Sequence, residues 1–112
     1  MMFERTRQGA VDVVSGDDPV NADHVPRVLP LLEQCGAHGQ PRVVFDLGRV
    51  PLIDSAGLEM LLDVQEDFQR RGGALKLAVG NALCREILSV TGVGGHFEIF
   101  PEATSAVGSF VQ

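Results

Sequence analysis

Residues 43–62 read VVFDLGRVPLIDSAGLEMLL and combine three local patterns in one short segment. The apolar run Val43-Val44-Phe45, which leads into Asp46-Leu47, predicts a central strand covered on both faces. A loop from Gly48 to Asp54 follows. From about Ala56 to Arg71 apolar residues recur at helical spacing, at Leu58, Leu61, Leu62 and Phe68. Gly72-Gly73 then ends the helix, so the segment predicts a strand, a loop and a helix.

The flanking sequence extends this unit into an alternation of strands and helices. The predicted elements are a hairpin of strands at 3–7 and 10–15, strands at 75–79 and 97–100, and helices from Asn21 to Gly36, from Asn81 to about Val90 and from Glu102 to Val111. The alternation predicts one α/β domain over residues 1–112, with a small mixed β-sheet that is mainly parallel through its centre. About four helices are expected to pack to one side of it, and the N-terminal edge strand could pair with another copy.

Two of these helices carry specific expectations. In the first, apolar residues at helical spacing run from Val25 to Cys35, with Asn21 or Asp23 available as N-cap. Pro30 predicts a kink, or a helix whose regular part begins late. In the third, Asn81 is the predicted cap, and Leu83, Ile87 and Leu88 are the predicted apolar positions.

Composition narrows the function classes. A formal net charge of −6 and a pI near 4.8 argue against nucleic acid or an anionic membrane as the main partner. No apolar run reaches the length of a membrane span and the N-terminus lacks a signal-peptide pattern, so a soluble cytoplasmic protein is expected. Cys35 and Cys84 have no CxxC spacing, which favours two buried thiols over a metal or redox site.

The decisive segment resembles a known family. Val43 to Leu47, then Ile53 to Leu58, then Gly72-Gly73 before a strand resemble the STAS domain of anti-sigma-factor antagonists. Further matches lie at 81–92 and 97–103. The resemblance implies a single-domain STAS fold with Ser55 as a phosphorylation site. It also implies a phosphosite or partner-binding role for the neighbouring Asp54, Ala56, Gly57 and Leu58.

The residue chemistry around Ser55 is compatible with such a switch. Ser55 is expected at or beside the N-cap of the helix, where free N–H groups and the positive helix end favour a phosphate. A phosphate would add about −1.5 to −2 charge next to Asp54. Gly57 allows another backbone or a ligand to approach closely. A serine at a helix start is also an ordinary cap, and that interpretation stays open.

One further position belongs to the site by resemblance. The family carries a Gly-x-Leu-Asp stretch after its second strand, with the acid near the phosphoacceptor. Here Gly16 aligns with that Gly and Val20-Asn21 with the Leu-Asp, so an amide replaces the acid. Asp17 or Asp18, in the longer loop, could take its place.

The resemblance also implies partners. Unphosphorylated protein would bind an anti-sigma factor serine kinase of the GHKL type, which would phosphorylate Ser55, and a PP2C-type phosphatase would reverse this. ATP and Mg²⁺ would belong to the kinase, so no cofactor is expected here.

An alternative is a non-phosphorylated accessory or scaffold subunit of a transport or signalling complex. It would use the helix face Leu58, Met60, Leu61 and Leu62, with Met60 either an exposed contact or peripheral core. The loop residues Val50, Pro51 and Leu52 could also belong to a partner surface.

An enzyme is not expected. Asp54-Ser55-Ala56-Gly57 does not match the G-x-S-x-G turn of serine hydrolases. His24, His38 and His96, the candidate bases, lie in segments better interpreted as helix start, loop and strand edge. Gly92-Val93-Gly94-Gly95 lacks the lysine and following helix of a phosphate-binding loop and is interpreted as a flexible turn.

Overall fold

The predicted alternation of strands and helices is present in the computed structural model, which describes residues 3–37 and 39–111. His38 lies outside the described residues. The elements are β1 Phe3–Gln8, β2 Val11–Gly16, α1 Val25–Cys35, β3 Arg42–Asp46, α2 Ser55–Arg70, β4 Ala74–Ala78, α3 Ala82–Val90, a 3₁₀ helix Val93–His96, β5 Ile99–Phe100 and α4 Ala103–Phe110. Gly92-Val93-Gly94-Gly95 is a turn, as expected, and most of it belongs to the 3₁₀ helix.

The strands form a mixed sheet in the order β1-β2-β3-β4-β5 within the described part of the chain. β1 pairs antiparallel with β2 through the turn at Gly9, whose φ of +63° suits a glycine. β2, β3, β4 and β5 pair in parallel. A parallel sheet places the loops after its strands at one edge, so the loops that follow β2, β3 and β4 meet there.

The sheet has a hydrophobic core on each face, as the continuous apolar run of β3 predicts. Val43 and Phe45 point into the larger core, which also holds the buried residues of α1 and α2. Val44 points the other way, into a smaller core with Ala78 and Ala106 of α4. The expectation that all helices pack to one side was wrong, because α4 covers the opposite face.

The first helix begins at Val25 and continues through Pro30 to Cys35, so its regular part starts later than Asn21. Its N-cap is His24, which makes no side-chain cap bond. The Asn21 side chain instead serves the turn before the helix, where its Oδ1 accepts from the N–H groups of Asp23 and His24, both at 3.1 Å. The expected N-caps therefore lie too early, Asn21 by three residues and Asp23 by one.

The third helix has the predicted cap but a different buried face. Asn81 Oδ1 accepts from the N–H of Cys84 at 2.8 Å, and Asn81 Nδ2 donates to the carbonyls of Leu47 and Val50. Cys84 and Leu88 are buried, whereas Leu83 is 53% exposed. Of the predicted apolar positions, Leu83 therefore lies outside the core, because the buried face is the one that Asn81 ties to the β3–α2 loop.

Candidate functional site

The second helix starts one residue earlier than predicted, and its cap is Asp54. The Asp54 backbone is extended there, and its Oδ1 accepts from the N–H of Gly57 at 3.0 Å. Ser55 is the first residue of the helix and is exposed. Ser55 was expected at or beside the N-cap, and it lies beside it. The capping oxygen belongs to Asp54.

Asp54 also ties the helix start to the loop after β2. Its Oδ2 accepts from the N–H of Ala22 at 3.2 Å, and its own N–H donates to the carbonyl of Val20 at 3.1 Å. Val20 further donates to the carbonyl of Leu52 and forms a parallel bridge with Ile53. Residues 20–22 and 52–54 therefore form one hydrogen-bonded unit beneath Ser55.

Gly57 is required by this unit. It is buried, and a Cβ there would overlap the carbonyl oxygen of Val20 and lie 2.9 Å from Ile53 Cγ2. Of the two uses expected for Gly57, close approach of a backbone and close approach of a ligand, the structure shows the first. Leu58 is also buried, so Gly57 and Leu58 support the helix start from within the core, and the partner-binding role that the resemblance implies for them stays a prediction.

The remaining helix-start donors are free. Within residues 3–37 and 39–111, neither the Ser55 hydroxyl nor the N–H groups of Ser55 and Ala56 have a hydrogen-bond partner. Free N–H groups at the positive end of a sixteen-residue helix favour an anion. The arrangement can therefore hold a negatively charged group on Ser55 at the surface.

Asn21 lies within the same unit, between Val20 and Ala22. Its Oδ1 is also 2.8 Å from His24 Nδ1, which must donate because an amide oxygen only accepts. His24 Nε2 in turn lies 3.8 Å from Asp18 Oδ2. The structure thus brings Asn21 to the Ser55 loop, as the alignment with the family acid implied, with its carbonyl oxygen directed to its own turn.

The surface around Ser55 combines apolar and acidic groups. Pro51 and Leu52 are exposed, Leu52 to 39%, whereas Val50 is buried at 1%. The expectation of Val50 as a contact residue was therefore wrong, because its side chain packs in the core. We call the exposed residues Pro51, Leu52, Ser55 and Glu59, together with the half-buried Ala56, the Ser55 surface.

A groove continues this surface between α1 and α2. It measures about 280 Å³ and is lined by Val25, Leu29, Ala56, Glu59, Met60 and Asp63. Its floor is apolar and its α2 rim carries two carboxylates. Met60 is 4% exposed and so belongs to the core, which resolves the two alternatives for this residue.

The sequence reasoning missed the groove. Val25 and Leu29 follow the helical period of the core, yet both are only partly buried because they lie at its edge. Val25 and Leu29 lie one turn apart at the start of α1, and in the structure they line the groove together with Ala56 in the first turn of α2. The sequence left open whether Ser55 is the cap or lies beside it, because an aspartate before a helix is as good a cap.

The other chemistries considered above gain no support from the geometry. Over the described part of the chain, no three side chains of the metal-binding types cluster, and no histidine hydrogen-bonds to Ser55. None of the described helices is long and apolar enough to cross a membrane. Cys35 and Cys84 are both free and buried, as expected. Burial raises the pKa of the Cys35 thiol to about 11, with a smaller contribution from the Asp12 charge.

Together, the fold and the site define a small mixed α/β domain with an exposed serine on a fixed helix start. The STAS domain family model matches residues 3–106. The chain therefore belongs to the STAS domain family.

Known proteins with similar sequence or structure include anti-sigma factor antagonists. The chain is 39% identical over 67 residues to a protein of Bordetella bronchiseptica that bears the name anti-sigma factor antagonist BtrV. The match spans 60% of this chain and 55% of the relative, so it covers just over half of the relative's length. The fold matches that of an anti-sigma factor antagonist from Mycobacterium paratuberculosis, with a TM-score of 0.89, 21% identity and coverage of 99% and 94% of the two chains.

The same fold also occurs inside a transporter. The murine anion transporter Slc26a9 matches with a TM-score of 0.78 and 17% identity, over 96% of this chain and 18% of the transporter. At such identities the likeness concerns the fold alone, so function has to be argued from the site.

Proposed function

We propose that this chain is an anti-sigma factor antagonist that binds an anti-sigma serine kinase and is released when that kinase phosphorylates Ser55. The observation that carries the proposal is the Ser55 hydroxyl, exposed on the first residue of α2 and without a partner in the described chain. The similarity to the Bordetella protein named as such an antagonist supports it.

Hydrogen bonds hold the backbone at the helix start that carries Ser55. Asp54 caps α2 and bonds to Ala22, so the loop around the hydroxyl is fixed before any partner arrives. A fixed loop loses less conformational entropy on binding than a mobile one. A kinase can therefore recognise a preformed surface.

The chemistry of the surface suggests what a partner presents. The groove between α1 and α2 has an apolar floor, while Glu59 and Asp63 are exposed on its rim. A complementary partner places an apolar side chain in the groove and basic groups near the two carboxylates.

Phosphorylation would change this surface electrostatically. The phosphate adds about −1.5 to −2 charge beside Asp54, which already occupies the Gly57 N–H. It can still use the free N–H groups of Ser55 and Ala56, so it stays on the surface that the partner covers. Burying that charge without a matching group costs several kcal/mol, and about 1.4 kcal/mol weakens binding tenfold. A micromolar complex would therefore dissociate.

Dephosphorylation of Ser55 reverses the switch, and the partner enzymes carry out both reactions. A PP2C-type phosphatase restores Ser55, and the GHKL-type kinase holds the ATP and Mg²⁺. The chain itself acts by binding, with no catalytic role, in the cytoplasm where sigma factors act.

The interface expected for the accessory-subunit alternative is mostly buried. Leu58, Met60 and Leu61 belong to the core, whereas Leu62 is half-buried, and Met60 reaches the surface only as part of the groove lining. Such a partner would have to use the Ser55 surface or another face.

Capture of partners from the native lysate tests the proposal. The bait proteins are wild type, Ser55→Ala, Ser55→Asp and the matched control Ser89→Asp, which places the same charge on an exposed residue of α3. We expect wild type, Ser55→Ala and the control to retain one GHKL-type kinase identified by mass spectrometry, and Ser55→Asp to lose it. Addition of ATP to the wild-type complex should add one phosphate, located on Ser55. A transporter subunit retained equally by all four proteins would refute the proposal and support the accessory alternative.

A further inference from the structure

A second polar site lies at the opposite edge of the sheet from Ser55. Asp12 is near the amino end of β2 and Arg42 begins the adjacent β3, whereas Ser55 follows the carboxyl ends of the parallel strands. Asp12 and Arg42 both line a small cavity of about 80 Å³. The other lining residues are Arg5, Arg7, Ala10, Gln34, Cys35 and Gln40.

The cavity contains a buried polar atom without a partner. Asp12 is 4% exposed, and its Oδ1 has no hydrogen-bond partner among the residues that the structure describes. The nearest cations, Arg7 Nη1 at 3.6 Å and Arg5 Nη1 at 3.9 Å, are close enough for ion pairing but not for hydrogen bonding. A buried carboxylate oxygen in this state needs a donor, because leaving it unsatisfied is costly.

The arginines alone would not require a ligand. Charged residues on an edge strand such as β1 protect it against pairing with other chains. The unpartnered oxygen of Asp12 is the independent observation, since it calls for a group that donates a hydrogen bond inside the cavity.

The net charge of the cavity favours an anion. Three arginines and one aspartate give it a formal charge of +2, in a chain whose overall charge is −6. The last turn of α1 contributes Gln34 and Cys35 to the wall, with about −0.5 of helix-end charge, which the guanidinium groups outweigh. The Cys35 thiol stays neutral near pH 7 because its pKa is raised to about 11, first by burial and then by Asp12.

The ligand must therefore be a small anion that also carries a hydrogen-bond donor. We propose that this cavity binds inorganic phosphate, with Arg5, Arg7 and Arg42 contacting its charged oxygens and Asp12 accepting a hydrogen bond from its hydroxyl. Phosphate retains an O–H group near neutral pH, whereas sulfate has only acceptors, which a carboxylate repels. Asp12 thus makes the site selective for phosphate over sulfate.

Isothermal titration calorimetry with the phosphate-free wild-type protein tests this proposal. Sodium phosphate and sodium sulfate are titrated at equal ionic strength near pH 7, because calorimetry, unlike a melting curve, is not affected by the general stabilising effect of sulfate. We expect one phosphate site and a sulfate affinity at least about tenfold lower, the equivalent of one hydrogen bond to a charged group. No binding of either anion would mean that the cavity holds only water, and it would overturn the proposal, as would equal affinity for the two.

Three variants separate this site from general electrostatics. Asp12→Asn supplies an amide N–H that can donate a hydrogen bond to sulfate. The ratio of phosphate affinity to sulfate affinity should therefore fall from about ten to about one. Arg7→Gln, on a side chain that is 64% exposed, should weaken phosphate binding without unfolding the protein. Arg27→Gln, which removes the same charge from the exposed face of α1, should leave it unchanged. An equal loss of affinity in Arg7→Gln and Arg27→Gln would show that only overall charge matters, and the proposal would be wrong.

Discussion

Asp54 provides the sharpest test of how the Ser55 loop is held, because its carboxylate makes two hydrogen bonds to different segments. Asp54→Ala removes the cap bond to the Gly57 N–H at 3.0 Å and the bond to the Ala22 N–H at 3.2 Å. Loss of a cap costs about 0.5–2 kcal/mol and loss of one further hydrogen bond about 0.5–1.5 kcal/mol. We therefore expect the free energy of unfolding to fall by about 1–3 kcal/mol. Asp54→Asn keeps one acceptor oxygen, so its free energy of unfolding should lie between those of wild type and Asp54→Ala.

Urea unfolding measures this change as a shift in midpoint at constant m-value. Asp63→Ala is the matched control, since Asp63 is an exposed residue of the same helix without a capping role. Hydrogen exchange adds a local readout, because the amides of Ala22 and Gly57 should exchange faster in Asp54→Ala only. The reasoning is refuted if Asp54→Ala differs from Asp63→Ala by less than about 0.5 kcal/mol, the usual scale of surface substitutions.

Three further predictions concern the scaffold. Gly57→Ala should destabilise the protein by about 1–3 kcal/mol in urea unfolding because its Cβ overlaps the Val20 carbonyl, whereas Gly108→Ala, with open space around it, should stabilise it by about 0.5–1 kcal/mol. Equal effects would contradict the packing argument. Asn81→Ala should cost about 2–4 kcal/mol in the same assay, since it removes three hydrogen bonds, and Asn81→Asp should restore only the cap. Because the Cys35 pKa is raised from 9.0 to about 11, stability should fall as pH rises through this interval, and a Cys35→Ala variant should show a shallower decline in pH-dependent unfolding; an unchanged slope would contradict this.

The sequence was most informative about the sheet and least about what covers it. The run Val43-Val44-Phe45 predicted that both faces of β3 are buried, and the two cores confirm this. The same run cannot say which helix covers which face, because periodicity within a helix does not give its place in the fold. The short α4, rich in small residues, carries a weak apolar pattern, so its position on the opposite face had no local signal.

Leu83 shows the same limit at the scale of one residue. Leu83, Ile87 and Leu88 fit a helical stripe as well as Cys84 and Leu88 do. The choice depends on Asn81, whose two bonds to the β3–α2 loop turn Cys84 inward. That contact joins residues far apart in the chain, so local pattern could not decide it.

For the site, the sequence located the helix start to within one residue and placed Ser55 at or beside the N-cap, as the structure has it. It did not show that Asp54 is the cap, since serine and aspartate cap equally well. It also could not show that Ala22 bonds to Asp54, because this contact depends on the parallel arrangement of β2 and β3. The Asn21 position was reached only through the resemblance, and the hydrogen bonds that its Oδ1 accepts would be available to an aspartate as well.

The most direct test of the central claim is the affinity of the captured kinase for protein carrying phosphoserine at position 55. Phosphoserine is introduced during synthesis at position 55 or, as control, at position 89, and binding is measured by titration calorimetry without ATP. We expect the position 55 protein to bind at least about a hundredfold more weakly than the unmodified protein, equivalent to about 3 kcal/mol, and the control to bind normally. Equal binding of all three proteins would contradict the account.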